Sequence, residues 1–248
     1  MRRPLSRRNL SAMRIFAGTS GYAFKEWKGN FYPTDLKDDG FLGYYATKFP
    51  AVEINNTFYR LPKENVLREW AAQVPETFTF ALKASQRITH HARLKEESAS
   101  LVDFLLKNTA TLGDRLGPIL FQLPPNLKKD VPRFRGFLGL LPTDRRYVFE
   151  FRHESWFDDE VFSAMRERDI AICVIEQDDF KCPVVSTASW GYLRLHRLNY
   201  DEAGLVEWAK CVTSQPWKEA YVFFKHDETE NGGSGPPAVA TFVGACNS

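Results

Sequence analysis

The feature that most constrains this chain is a regular alternation of short apolar segments with longer stretches of helical periodicity. This alternation is typical of parallel strands joined by crossover helices, because a parallel connection needs a long return path across the sheet. Eight segments have strand character, and they are 15–19, 51–55, 77–83, 118–122, 147–151, 170–175, 192–195 and 220–224. Eight repeats in 248 residues predict an α/β fold, a single TIM-type (β/α)8 barrel.

The stretches between the predicted strands have the periodicity and start signals of helices. Acidic residues at 158–160 and 201–202 favour helix starts because they complement the helix dipole. The predicted helices are 41–49, 63–73, 98–112, 131–140, 158–168, 201–212 and 236–243. In the sixth crossover, Pro183 precedes the β-branched pair Val184 and Val185, which predicts a short helix or an irregular loop there.

Charge is distributed unevenly along the chain. Arg2, Arg3, Arg7 and Arg8 precede Met13 without an acidic residue, so residues 1–13 are predicted to be a basic, disordered extension and 14–248 one barrel domain. The net charge is +2, and without these four arginines it would be −2. A near-neutral body argues against a broad surface for duplex nucleic acid. Without a bilayer-length apolar run or a secretory signal, we expect a cytoplasmic protein with no membrane partner.

Polar side chains occupy one face of most predicted strands. In a barrel, alternate residues face the helices and the barrel axis. Apolar residues mark the helix-facing positions, which leaves these polar side chains pointing inward: Glu53, Asn55, Thr57, Lys83, Ser85, Glu150, Arg152, Glu176, Arg194, His196, Lys225 and Asp227. In the sixth strand this reasoning turns Ala171, Cys173 and Ile175 outward. The polar set gathers at the carboxyl ends of the strands, where barrel enzymes have their catalytic loops.

These residues predict a charged pocket. Catalytic roles are assigned to Glu53, Lys83, Glu150 and Arg152. Substrate contacts are assigned to Ser20, Asn55, Asn56, Thr57, Tyr59, Gln122, Trp156, Arg194, His196, Lys225 and Asp227. Because a buried unpaired charge is costly, these groups must pair with one another or await a ligand. The alternative is an internal ion-pair network that only closes the barrel.

Several chemistries are compatible with these residue types. Glu53 and Glu150 are a carboxylate pair of the kind that glycosidases use, although nearby cations oppose a proton donor. Lys83 is a candidate Schiff-base nucleophile. No cofactor and no metal site is predicted, with a divalent metal held by Glu150, Glu176, His196 and Asp227 kept as the less favoured alternative.

The cations suit an anionic ligand, and they are Lys83, Arg87, Arg152, Arg194 and Lys225. Neutral donors such as Ser20 and Asn55 suit hydroxyl groups. We therefore predict an enzyme, a hydrolase, lyase or isomerase, that acts on a small phosphorylated or polyhydroxylated substrate. The alternatives are a phosphodiester-processing or nucleic-acid-processing barrel similar to endonuclease-four-like proteins, and a non-catalytic small-molecule binding module.

Five motifs together resemble one family. They are GTSGY at 18–22, EINNTFY at 53–59, FALKAS at 80–85, FQLPP at 121–125 and EFRH at 150–153. In this order they are similar to the YecE-like family, domain of unknown function 72. The resemblance implies a TIM-type barrel and a shared pocket, and it implies no established activity. Many members read FFNN where this chain has FFKHD at 223–227, so the charged triplet departs from the family pattern.

Overall fold

The computed structural model describes residues 13–177, 180–225 and 235–247, and its centre is a nearly closed barrel of eight parallel strands. The barrel strands are β1 Arg14–Thr19, β2 Ala51–Ile54, β3 Thr79–Lys83, β4 Leu116–Gln122, β5 Tyr147–Glu150, β6 Ala171–Gln177, β8 Trp190–Leu195 and β9 Glu219–Phe224. A two-residue strand, β7 Phe180–Lys181, pairs antiparallel with β6. The predicted TIM-type barrel is therefore confirmed. The predicted extension at 1–13 lies outside the described residues except for Met13.

Hydrogen-bonded neighbours follow the order β1-β9-β8-β6-β5-β4-β3-β2. The helices between them are α1 Phe41–Ala46, α2 Glu64–Ala72, α3 Ala99–Thr109, α4 Val131–Gly139, α5 Asp159–Arg166, α6 Glu202–Thr213 and α7 Pro236–Cys246. Aspartates 158 and 201 cap α5 and α6 as the acidic start signals predicted. Residues 180–189 form β7 and an irregular loop. None of the helices in the described ranges is long and apolar enough to cross a membrane.

The core has two layers, one between the strands and the helices and one inside the barrel. Residues such as Phe134 and Phe149 pack in the outer layer. The inner layer is filled by apolar side chains, including Phe16, Leu120 and Phe223. Phe223 lies opposite Arg194 and Leu120 opposite Lys83, so this apolar layer reaches the level at which the polar side chains begin.

The predicted register of β6 is wrong. Ala171 and Cys173 lie inside the barrel, whereas Ile172 and Val174 pack toward the helices. Every residue from 170 to 175 is buried, so no polar residue within the strand distinguishes its inward face from its outward face. The first polar residue is Glu176, and the predicted register turned it inward. The small side chains of Ala171 and Cys173 suit the crowded interior, where Trp190 and Tyr192 of β8 already take up space.

The seam between β1 and β2 is closed by a side chain. These strands share one isolated bridge, Ser20 opposite Glu53. The backbone N–H of Thr19 donates to the hydroxyl oxygen of Tyr45 at 2.8 Å, and that hydroxyl donates to the carbonyl oxygen of Ala51 at 3.1 Å. A Cβ atom on Gly18 would lie 1.9 Å from the same carbonyl oxygen, so only glycine permits this approach. One hydroxyl on α1 thus satisfies two backbone groups across the seam.

We expect Tyr45→Phe to lower the free energy of unfolding by about 1–3 kcal/mol, because the Thr19 N–H and Ala51 C=O would be buried without partners. Urea denaturation measures the change. Tyr44→Phe is the matched control, since the Tyr44 hydroxyl makes no hydrogen bond within the described part of the chain. Equal losses in the two variants would contradict the role of the Tyr45 hydroxyl.

Candidate functional site

Polar side chains from five strands meet inside the barrel at its carboxyl end. They form a continuous chain of hydrogen bonds that runs from Lys83 through Gln122, Glu150 and Arg194 to Glu53. Each lies at the last or second-last residue of its strand, so parallel strands ending at one level bring them together. We call these five residues, with Arg152, the mouth network.

Arg194 joins the two carboxylates of the mouth network. Its Nη1 donates to Glu150 Oε2 at 2.6 Å and its Nε donates to Glu53 Oε1 at 3.1 Å. Burial opposes the charge on Arg194, but both carboxylates outweigh burial and raise the pKa of Arg194 above its ordinary value. The two glutamates are fully buried, so this guanidinium keeps their charges compensated.

Glu150 is held as an anion. Burial raises its pKa, yet Arg194, Arg152 and a hydrogen bond from Gln122 together lower the pKa of Glu150 to about 2. The Nε and Nη2 atoms of Arg152 contact Glu150 Oε1. Gln122 Nε2 donates to the same oxygen at 2.6 Å. Because this carboxylate is ionised at neutral pH, it is a poor general acid.

Glu53 is surrounded by donors. Its Oε1 accepts from Ser20 Oγ at 2.6 Å and from Asn55 Nδ2 at 3.2 Å, in addition to Arg194. Its Oε2 accepts from the Tyr192 hydroxyl at 2.6 Å. Burial, and then Glu53, raise the pKa of Tyr192 well above its ordinary value, which keeps this donor protonated. Glu53 therefore acts as a fixed anchor for side chains from β1 and β8.

A cavity of about 430 Å³, lined by polar and aromatic residues, lies beside this anchor. Ser20 Oγ is 3.0 Å from His196 Nε2, and both residues line the cavity. Burial, reinforced by Arg194, lowers the pKa of His196 well below its ordinary value, so the imidazole is neutral at pH 7. When the Ser20 hydroxyl donates to Glu53, His196 donates through Nε2 to Ser20. The lining also includes Tyr22, Phe24, Asn55, Asn56, Trp70 and Lys225.

Lys83 differs from the other cations of the mouth network. Its Nζ donates to the neutral amide oxygen of Gln122 at 2.9 Å and lies 4.1 Å from the centre of the Phe58 ring. Within the described ranges, no carboxylate lies within ion-pair distance of Lys83. Burial, reinforced by Arg194, lowers the pKa of Lys83 to about 8, although Glu150 and Glu53 oppose the change. Burial of this charged amine therefore lowers the free energy of unfolding of the barrel.

We expect Lys83→Met to raise the free energy of unfolding by about 1 kcal/mol at pH 7. The lowered pKa means that the charged amine is less favourable in the folded chain than in the unfolded chain, and loss of the Gln122 hydrogen bond offsets part of the gain. Chemical denaturation measures the change, with Lys107→Met on the exposed face of α3 as the control. A clear loss of stability would show instead that Lys83 supports the barrel.

Most of the predicted site residues converge on the mouth. Those in the mouth network or lining the cavity are Ser20, Glu53, Asn55, Asn56, Lys83, Gln122, Glu150, Arg152, Arg194, His196 and Lys225. Thr57 is buried beneath it, and its hydroxyl donates to the Lys83 carbonyl oxygen at 2.6 Å. Tyr59 projects outward with 73% of its surface exposed. Asp227 lies outside the described residues.

Trp156 is not at the pocket, which corrects the prediction. It is 1% exposed in the outer core, stacks on Phe151, and donates its indole N–H to the Leu127 carbonyl oxygen at 2.6 Å. The turn Glu154–Trp156 follows β5 and directs the ring against α4 rather than toward the axis. An aromatic residue after a strand can pack either way, and the large apolar surface of the helix layer decides between them here.

Glu176 also departs from its predicted position. Its carboxylate accepts the indole N–H of Trp208 on α6 at 2.9 Å and faces Arg197, outside the barrel. Gln177 is the residue that turns inward, where it contacts Arg152. The corrected β6 register identifies Gln177, because it lies in phase with Cys173. Among the described residues, no cluster of three or more His, Cys, Asp or Glu side chains is placed to hold a metal ion.

Comparisons with known proteins agree with this geometry. The family model described as "Protein of unknown function DUF72" matches residues 16–245. The UPF0759 protein YecE of Escherichia coli K12 is 34% identical over 117 residues, which cover 47% of this chain and 43% of YecE. The chain therefore matches less than half the length of that relative. The UPF0759 protein YunF of Bacillus subtilis is 26% identical, with 87% of this chain and 80% of YunF covered.

Solved structures share the fold. The crystal structure of a DUF72 family protein from Thermotoga maritima has a TM-score of 0.69 at 24% identity and covers 95% of this chain and 100% of that one. A DUF72 family protein from Enterococcus faecalis has a TM-score of 0.77 at 17% identity, with 94% of this chain and 96% of that one covered. Since the family model covers nearly the whole sequence, this chain belongs to the DUF72 family.

Proposed function

We propose that this barrel is an enzyme whose mouth binds a small phosphorylated or polyhydroxylated substrate, and that this substrate carries an anionic group. The supporting observation is the charge balance of the mouth network. Three cations, Lys83, Arg152 and Arg194, stand against two carboxylates. Arg194 forms ion pairs with both glutamates, and Lys83 has no anionic partner among the described residues. A ligand anion is the group that would complete the balance.

The donors available to that anion have different roles. Arg152 keeps 19% of its side chain exposed, and its Nη1 donates to the neutral amide oxygen of Gln177. A ligand anion would replace this neutral acceptor while Nε and Nη2 keep their contact with Glu150. Lys225, on the cavity wall, adds a further positive charge. Ser20, Asn55 and neutral His196 supply uncharged donors and acceptors that suit hydroxyl groups. This combination favours a sugar phosphate over a neutral sugar.

The proposal is tested with matched ligand pairs: glucose 6-phosphate against glucose, and ribose 5-phosphate against ribose. Ligands that bind the folded state raise its melting temperature, so we expect at least one phosphorylated member to raise it more than its neutral partner. Equal shifts within each pair, or none, would contradict an anionic substrate. A larger, salt-sensitive shift with a single-stranded oligonucleotide would favour the nucleic-acid-processing alternative.

A variant of Arg152 sharpens the test. We expect Arg152→Gln to weaken binding of the phosphorylated ligand by roughly tenfold or more, because a charge-assisted hydrogen bond contributes about 1.5–3 kcal/mol. Glutamine can still donate to Glu150, which limits damage to the barrel. Arg68→Gln, at an exposed position on α2, is the control. The preference for the phosphorylated ligand over its neutral partner should be unchanged in the control and smaller in the Arg152 variant. An equal reduction in both variants would contradict a contact between Arg152 and the phosphate.

A further inference from the structure

We propose that Lys83 is a nucleophile that forms an imine with a carbonyl group of the substrate. This inference rests on the proposed function and narrows its substrate class to a carbonyl-bearing anion, such as an open-chain sugar phosphate or a 2-oxo acid. It assigns Lys83 a covalent role in place of a simple electrostatic one.

The position of Lys83 carries the first part of the argument. Its side chain leaves the end of β3 toward the barrel axis and is largely buried there, with 9% of the residue surface exposed. The Thr57 hydroxyl holds the Lys83 carbonyl oxygen, which fixes the strand end from which the side chain projects. The ring of Phe58 covers one side of the amine. Gln122 occupies a second side, so these two contacts narrow the directions from which a carbonyl group could approach the amine.

The partners of Lys83 carry the second part. A structural lysine in a barrel interior is normally paired with a carboxylate, yet Glu150 accepts from Gln122 and both arginines instead. Gln122 turns its oxygen to the amine and its Nε2 to Glu150, so an amide separates the lysine from the carboxylate. This spacing leaves the amine without a partner that would hold its proton strongly.

The amine is consequently reactive at neutral pH. With the pKa of Lys83 lowered to about 8, about one side chain in ten is neutral at pH 7, compared with fewer than about one in a thousand for an ordinary lysine. Because an amine of lower pKa is also a weaker intrinsic nucleophile, the net advantage is on the order of tenfold or more. Desolvation and adjacent cations are the usual means of activating such a lysine.

The proposed step is balanced within these groups. The neutral Nζ of Lys83 attacks the carbonyl carbon and the C=O π bond breaks. The oxygen gains one proton and the nitrogen loses one, which gives a carbinolamine. A second proton is then gained by the oxygen and lost from the nitrogen as the C–O bond breaks, so one water molecule leaves and a C=N bond replaces the C=O bond with no change in oxidation state. Protonated, this imine withdraws electrons from the neighbouring carbon, which eases loss of a proton or a substituent from that carbon. A lyase or an isomerase would use this effect.

Reductive trapping tests the proposal directly. The full-length protein is incubated at pH 7 with sodium cyanoborohydride and either pyruvate or dihydroxyacetone phosphate, and modified lysines are found by peptide mass spectrometry. Hydride reduces the imine to a stable secondary amine. We expect Lys83 to be modified at least about tenfold faster than any other lysine, in line with its larger neutral fraction. Lys83→Met should lose this rapid modification, and Lys107→Arg should keep it.

The outcomes separate the inference from the proposed function. Slow, unselective modification of many lysines by both carbonyl compounds would overturn the imine, and phosphate-dependent binding in the same preparation would leave the proposed function standing. Both probes are anions, so rapid modification of Lys83 by both would support the imine. Equal melting-temperature shifts with the phosphorylated and neutral members of each sugar pair would then contradict a phosphorylated substrate and leave a 2-oxo acid as the carbonyl-bearing anion. Denaturation of Lys83→Met shows whether its lost modification reflects lost chemistry or a lost fold.

Discussion

We expect Arg194→Met to lower the free energy of unfolding by about 3–5 kcal/mol, because the change leaves Glu53 and Glu150 buried without their shared counter-charge. Arg152 still contacts Glu150, so Glu53 loses the most. Methionine keeps much of the side-chain length, which limits the contribution of a cavity to the effect. Urea denaturation at pH 7 measures the loss.

The cause is isolated by removing the charges together. The triple variant Glu53→Gln, Glu150→Gln, Arg194→Met contains no stranded carboxylate at the mouth, so we expect it to recover a large part of the lost stability. If the triple variant is as unstable as Arg194→Met, packing of the guanidinium, rather than charge compensation, is what the barrel needs. The comparison requires equal denaturant slopes for all variants.

The second large effect is on acid stability. The pKa of Glu150 is about 2 in the folded protein and its ordinary value is 4.5, so the unfolded chain takes up this proton first as the pH falls. The resulting stabilisation, about 3 kcal/mol, is fully present above about pH 5 and is lost as the pH falls through about 2. Glu150→Gln removes this carboxyl group and should flatten the decline between these limits.

Denaturant midpoints measured from pH 7 to pH 2 test this expectation. Other acidic groups also titrate in this range, so the informative quantity is the difference between the wild-type and variant curves. Glu154→Gln, which changes an exposed glutamate just after β5, is the control and should follow the wild-type curve. Parallel curves for wild type and Glu150→Gln would show that the folded protein does not hold this carboxylate below its ordinary pKa.

The sequence predicts the barrel and most of the mouth because polar residues interrupt apolar strands at regular positions. Glu150 and Arg152 alternate with Phe149 and Phe151, which leaves one choice of inward face. The same reasoning failed for β6, since both faces of its apolar run are buried. Glu176, the first polar residue after that run, was predicted to point inward, but its carboxylate accepts a hydrogen bond from Trp208 on α6. The inward residue is Gln177, which was not identified from the sequence.

Contacts between distant residues were beyond sequence reasoning. Arg194 lies 141 positions from Glu53, and nothing local indicates that one guanidinium serves both glutamates. The same holds for Lys83, because its lack of a carboxylate depends on how Gln122 orients between β3 and β5. Alternation can assign side chains to an interior, whereas their pairing depends on which strand ends stand opposite each other.

The Tyr45 hydroxyl at the seam has a consequence for amide hydrogen exchange. Backbone amides in a closed barrel are normally shielded by the neighbouring strand, but the Thr19 amide is shielded by a side chain of α1. Exchange at Thr19 therefore reports the undocking of α1 even while the ladder between β1 and β9 stays intact. Opening along this line would break no strand ladder of the described residues, only the single bridge between Ser20 and Glu53, and Ser20 lies on the wall of the cavity.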